Sequence, residues 1–189
     1  MPKAFAERTY LITATILVGW LMTAIAPSAA FADRRSDFIA ANRCKVERLL
    51  HLIHGHPEEQ NRFLVVSVRG KGQAYVQCLL TNRDTRMLCE ASSGYFAVLP
   101  GQSRPSEMSM SKVAALDAAG FDMDTSDRNY QRVLSIRNID ADFASAADLM
   151  LSLIHDIFDA RSIGELRFTA PLAGNAANVP MRCNGAPAN

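Results

Sequence analysis

The sequence predicts an α+β fold in which helices pack on an antiparallel sheet. Three observations lead there. Segments rich in β-branched and aromatic residues are joined by turns too short for parallel crossovers, their cross-strand register stays self-consistent over three strands, and the flanking segments carry apolar residues at helical spacing. The 189 residues suffice for one such domain on the rough prior of about 150 residues each.

Before the first of these elements, positions 1–32 read as a secretory signal peptide. Lys3 and Arg8 make a basic start, Tyr10 to Ile25 an apolar stretch, Pro27 a breaker, and Ala30-Phe31-Ala32 a small-x-small cleavage motif. The stretch is shorter than the roughly 20 residues a spanning helix needs, which favours cleavage over an anchor. The expected organisation is then a signal peptide at 1–32, a domain at 33–169 and an irregular tail at 170–189, periplasmic or secreted and off the membrane once cleaved. Cleavage removes Lys3, Arg8 and Glu7 together with Trp20, the only tryptophan, and leaves acids and bases equal in number. A formally neutral chain has no field to gather nucleic acid.

The first helix is expected from Ser36 to His54, where Phe38, Ile39, Val46, Leu49, Leu50 and Ile53 share a face interrupted by Asn42, with Ser36 as cap and Gly55 as stop. Phe63 to Val68 reads as a strand, Gly70-Lys71-Gly72 as a hairpin loop, and Ala74 to Thr81 as the second strand. The chain then turns through Asn82-Arg83-Asp84-Thr85 and returns as Arg86 to Ser92. A two-residue tip at Arg83-Asp84 sets Leu80 opposite Met87, Cys78 opposite Cys89 and Val76 opposite Ala91 on one face. The other face then carries Thr81 with Arg86, Gln77 with Glu90, and Leu79 with Leu88. Leu64, Val66 and Val68 join the apolar face, so all three strands agree.

Beyond a loop rich in Gly, Pro and Ser (Pro100 to Pro105), Ser109 opens a short helix through Ala119 that Gly120 ends. Asn129 to Arg137 reads as a strand. Asp140 or Asp142 opens the last helix, to Phe158, with Phe143, Ala146, Ala147, Met150, Leu153, Ile154 and Ile157 inward. Gly164 to Phe168 reads as a final short strand, and Pro171 to Asn189 as an irregular tail with little to bury.

Several of these segments carry a likeness. Tyr75-Val76-Gln77, the run Leu88-Cys89-Glu90-Ala91-Ser92-Ser93-Gly94-Tyr95, the capped helix from Met108-Ser109 to Leu116-Asp117-Ala118-Ala119-Gly120-Phe121, Asn129-Tyr130, the helix Ala147 to Phe158 and Ile163-Gly164-Glu165-Leu166 stand in that order. Over roughly 34–169 the chain resembles the TY-Chap domains, which are similar to type III secretion chaperones and to the YbjN group. The resemblance implies a secretion-chaperone-like fold and a small non-enzymatic domain that holds another polypeptide, often as a dimer. The signal peptide, the four cysteines and the Cys-bearing tail depart from the family's pattern.

In an oxidising compartment Cys44, Cys78, Cys89 and Cys183 are free to pair in three ways. Cys44 points about 170° from the mean apolar direction of its helix, at roughly 100° per residue, which suits a partner arriving from outside such as Cys183 in the tail. That pairing would close a loop of well over 100 residues, worth up to roughly 4 to 5 kcal/mol in the chain-entropy model. Cys78 and Cys89 are left as cross-strand neighbours, as a disulfide or as two packed thiols.

Candidate chemistry is sparse. His51, His54 and His56 with Glu58 and Glu59 form the only metal-like cluster, and the plainer reading is a solvated helix end. Asp122, Asp124 and Asp127 lack the Gly and Glu of a calcium loop and read as a polar turn. Ser109 with Lys112 matches Ser-x-x-Lys, but Ser109 is spoken for as a cap and no second motif accompanies it. His155, with no nucleophile motif beside it, reads as a helix-surface or interface residue. No catalytic residue and no cofactor is expected. Leu149, Leu151 and Phe158 widen the last helix's apolar arc beyond what one sheet face covers, which points to contact with another chain. The expectation is an exported chaperone-like module holding a protein segment or its own copy. The alternative is a periplasmic metal-binding protein using the His51 cluster.

Overall fold

The computed structural model describes residues 28–94, 108–126 and 128–178. They form an α+β fold with helices α1 (Ser28–Ile53), α2 (Met110–Ala118) and α3 (Ile139–Asp156) and strands β1 (Phe63–Val68), β2 (Tyr75–Thr81), β3 (Arg86–Ala91), β4 (Tyr130–Ser135) and β5 (Leu166–Thr169). The sheet is antiparallel throughout, in the order β4-β3-β2-β1-β5.

The central register is the one expected: Val76 pairs with Ala91, Cys78 with Cys89 and Leu80 with Met87. The turn is centred on Arg83 and Asp84 as expected but runs over Asn82–Thr85 rather than as a two-residue tip: Asn82, Arg83 and Asp84 all have positive φ (52°, 53° and 64°), and the last ladder pair is Thr81 with Arg86. Alternation does the rest. Leu64, Val66, Val68, Val76, Cys78, Leu80, Met87, Cys89 and Ala91 are buried on one face, and α1 and α3 close over them through Leu49, Leu50, Ile53, Phe143, Met150 and Ile154. Burying a large apolar side chain contributes about 1.5 to 3 kcal/mol, so this layer outweighs every surface contact in the domain.

The helices run antiparallel, with ion pairs Arg35–Asp156 and Arg43–Asp148 (2.8 and 3.1 Å) and a His51–Asp140 contact (3.4 Å) at eight-residue intervals on both. Such exposed pairs are worth about 0 to 1 kcal/mol each, so they align the helices more than they hold them. Helix α2 joins the same side of the sheet. Its Leu116 is buried in the core, and Arg132 of β4, opposite Cys89, donates to the carbonyl of Ala119 just past the end of α2.

Several boundaries differ from expectation. Helix α1 runs unbroken from Ser28 through Ala30-Phe31-Ala32, so Ser36 lies inside it and does not cap it. An alanine-rich stretch favours helix and holds no breaker after Pro27. Asn138, rather than Asp140 or Asp142, caps α3: its side chain accepts from Ala141 N, while the Asp142 carboxylate reaches back to the N–H groups of Arg137 and Asn138. Ser109 holds the N-cap position of α2 without a side-chain capping bond, its hydroxyl lying 3.1 Å from that of Ser111.

Strand β4 is shorter than Asn129 to Arg137, and β5 starts two residues later than Gly164, behind a 3₁₀ turn at Ile163–Glu165. The start of the supposed irregular tail is also ordered: Pro171–Ala177 forms 3₁₀ turns broken at Gly174, with Ala177 buried and Leu172 and Ala173 packed on the core. Small apolar side chains sufficed where few large ones were available. The apolar arc of α3 finds its cover inside the chain. Leu151 is fully buried, and Leu149 and Phe158 pack partly on the core, because α1 lies along α3. That arc therefore argues for no second chain.

The signal segment up to position 27, the Pro100 to Pro105 loop, Asp127 and the tail from 179 lie outside the described residues. Among the described residues no helix is long and apolar enough to cross a membrane.

Candidate functional site

Cys78 and Cys89 form a disulfide with their Cα atoms 4.0 Å apart, both fully buried. The pairing follows from the ladder. Ser92 N donates to the Tyr75 carbonyl, so three rungs on Cys78 and Cys89 face each other as a non-hydrogen-bonded pair, the class in which Cα atoms approach most closely. Such a bond is consistent with an oxidising, extracytoplasmic location. Cys44 is half-buried and disulfide-bonded, and the expected partner, Cys183, lies outside the described residues.

The histidines disperse. His51 Nε2 lies 3.4 Å from Asp140, His54 Nε2 lies 3.9 Å from Asp84, and His56 Nδ1 accepts from Glu58 N. The His51 and His54 rings both stand edge-on to Phe143. Among the described residues no three His, Cys, Asp or Glu side chains gather to hold a metal ion. Asp122 and Asp124 lie in a polar turn that Arg128 closes at 3.5 and 3.1 Å. Bonds from Ser126, its hydroxyl first, and then the Arg128 charge hold the Asp124 carboxyl below its ordinary range. Lys112 is bound to Asp159 at 2.6 Å, which removes it as a base for Ser109.

His155 is not on the surface as expected. It is buried against Phe38, with Asp156 2.7 Å from Nδ1 and the Arg161 guanidinium 2.9 Å from Nε2. Periodicity could not show this, because Phe38 and Arg161 come from distant positions in the sequence.

What the sheet does offer is a second face. With the three helices on one side, alternation turns Phe63, Leu79, Leu88 and Val133 to the other as one cross-strand row over four strands. The first three are half-buried and Val133 is 54% exposed. Beside this row lies a polar one, in which the Glu90 carboxylate accepts from Gln77 on one strand and from Gln131 (2.7 Å) on the other. Among the described residues no cation neutralises Glu90. The Gln77–Glu90 and Leu79–Leu88 pairs were legible in the sequence; the rows became whole only when β4 took its place beside β3.

The chain matches no known family model, no curated protein and no solved structure.

Proposed function

We propose that the chain is an exported, non-enzymatic, chaperone-like domain that holds a polypeptide segment on the helix-free face of its sheet. The observation that carries this reading is the apolar row Phe63–Leu79–Leu88–Val133 lying beside the Glu90 row. An apolar strip supplies affinity, and an isolated carboxylate held by two amides supplies selection. The occupant favoured is a foreign segment with apolar side chains and a Lys or Arg near Glu90. A second copy meeting the first face to face would bring two Glu90 carboxylates toward one another, which is unfavourable. The likeness to secretion chaperones supports the same reading, and the buried disulfide suits the export it assumes.

The test is a peptide array probed with the purified chain and with Val133→Asp and Glu90→Gln. Both positions are partly exposed, so both variants should fold. The reading expects apolar-basic peptides to bind, Val133→Asp to weaken them about tenfold or more, and Glu90→Gln to weaken only the basic ones. Binding that ignores both substitutions would overturn it. So would light scattering that shows a dimer dissolved by Val133→Asp.

A further inference from the structure

In a different part of the molecule, positive charge stands with no acidic partner among the described residues. Between α1 and β5 lies a cleft of about 390 Å3 whose lining includes Lys45, Arg69 and Arg167, with no acidic residue among its described walls. Leu166, Phe168 and Ile163 supply its apolar side. A neighbouring hollow of about 530 Å3 shares Arg69 and Arg167 and adds Lys71, so the positive surface continues around the β1–β2 turn.

Lys45 is the unusual member. It lies on the buried side of α1, only 8% exposed, with its ammonium 4.4 Å from the centre of the Phe168 ring. Among the described residues it makes no ion pair, and neither do Arg69 and Arg167; Arg69 Nε is held by the Leu166 carbonyl at 3.0 Å. Lysine is almost never this buried without a partner. The same protein shows the usual arrangement at Arg62, where a buried guanidinium meets the Asp84 carboxylate at 2.6 Å. Burial, and then the repulsion of Arg69, hold the Lys45 ammonium below its ordinary value of 10.5.

We propose that this cleft binds a small organic anion, a phosphate or carboxylate carried on an apolar body. The anionic group would lie between Lys45 and Arg69, with Arg167 at the mouth, and the body would lie against Phe168 and Leu166. The volume falls in the range of about 300 to 1,000 Å3 common for small-molecule sites, and a few convergent polar groups on an apolar lining are what such sites present. Charge-assisted hydrogen bonds to Arg and Lys supply the anion's partners, and its negative charge offsets the repulsion between Lys45 and Arg69. The proposal does not depend on the sheet-face reading, since neither Glu90 nor any member of the Phe63–Leu79–Leu88–Val133 row lines the cleft.

The experiment is a titration of the purified chain with phenyl phosphate, followed by NMR and by thermal unfolding. Benzyl alcohol serves as the uncharged comparison and inorganic phosphate as the bare anion. Saturable binding with a rise in Tm is expected for phenyl phosphate, weaker binding for inorganic phosphate, and none for benzyl alcohol. Lys45→Met and Arg69→Gln should each weaken phenyl phosphate about tenfold, the loss of one charge-assisted contact. Arg69 lies past the end of β1, so Arg69→Gln keeps the test open should Lys45→Met fail to fold. No saturable binding in the millimolar range, or binding untouched by either substitution, would overturn the proposal. Equal binding of benzyl alcohol would do the same, because it would make the cleft merely apolar.

Discussion

Lys45 and Arg62 are both cations withdrawn from water, and their surroundings differ in kind. Arg62 has Asp84, whose other carboxylate oxygen accepts from Gly55 N at the end of α1. Asp84→Ala removes one carboxylate partner of a buried guanidinium, so a loss of about 1 to 3 kcal/mol is expected in urea unfolding. Lys45 has an aromatic face and a like charge instead. Lys45→Met should raise Tm, because a thioether keeps the stem's packing without the charge. The pH dependence has a definite sign. With the folded value lowered below 10.5, the unfolded chain holds more protons in the alkaline window between the two values, so Lys45 costs stability below that window. That cost fades as pH rises toward 10.5, and Lys45→Met should flatten this part of the stability profile. None of this was visible in the sequence, which carries no sign of what packs over Lys45. Only the docking of β5 and the 3₁₀ turns over that side of α1 buries it.

At the scale of elements, the sheet's centre was legible and its margins were not. A turn centred on Arg83 and Asp84 leaves one register, and that register put Cys78 against Cys89 with no further information. The ends of helices depend on which of several adjacent polar residues turns inward. Asn138 won that competition over Asp140 and Asp142, and α1 begins at Ser28, well before Ser36. The disulfide closes a short loop, for which the chain-entropy model gives up to about 3 kcal/mol. Replacing both cysteines by alanine should cost about that much, and differential scanning calorimetry would measure it. Helix α2 ends in a Schellman motif, with Gly120 N bonded to the Asp117 carbonyl and Phe121 N to that of Leu116. Gly120 has φ of 76°, and a Cβ there would meet Arg132 at an ordinary 3.7 Å. Gly120→Ala is therefore expected to cost about 1 to 2 kcal/mol through the backbone alone.

For the whole molecule, the arrangement of layers decides what is available to a partner. The long apolar stripe of α3 looked like an interface, but α1 spans it, and the surface left over belongs to the sheet. Acid should loosen this assembly. Bonds from the Arg137 and Asn138 amides hold the Asp142 carboxyl below 3.8, and the Lys112 bond does the same for Asp159. Their contribution is present above 3.8 and is lost as pH falls through the lower folded values, so Asp142→Asn with Asp159→Asn should unfold less steeply in acid, followed by circular dichroism. The Cys78–Cys89 bond has one more consequence. It ties the two middle strands of the sheet behind an exposed tip bearing Arg83. A trypsin cut at that tip would leave both fragments covalently tethered, so the nicked protein would migrate as one band until a reducing agent, acting once the core opens, released two.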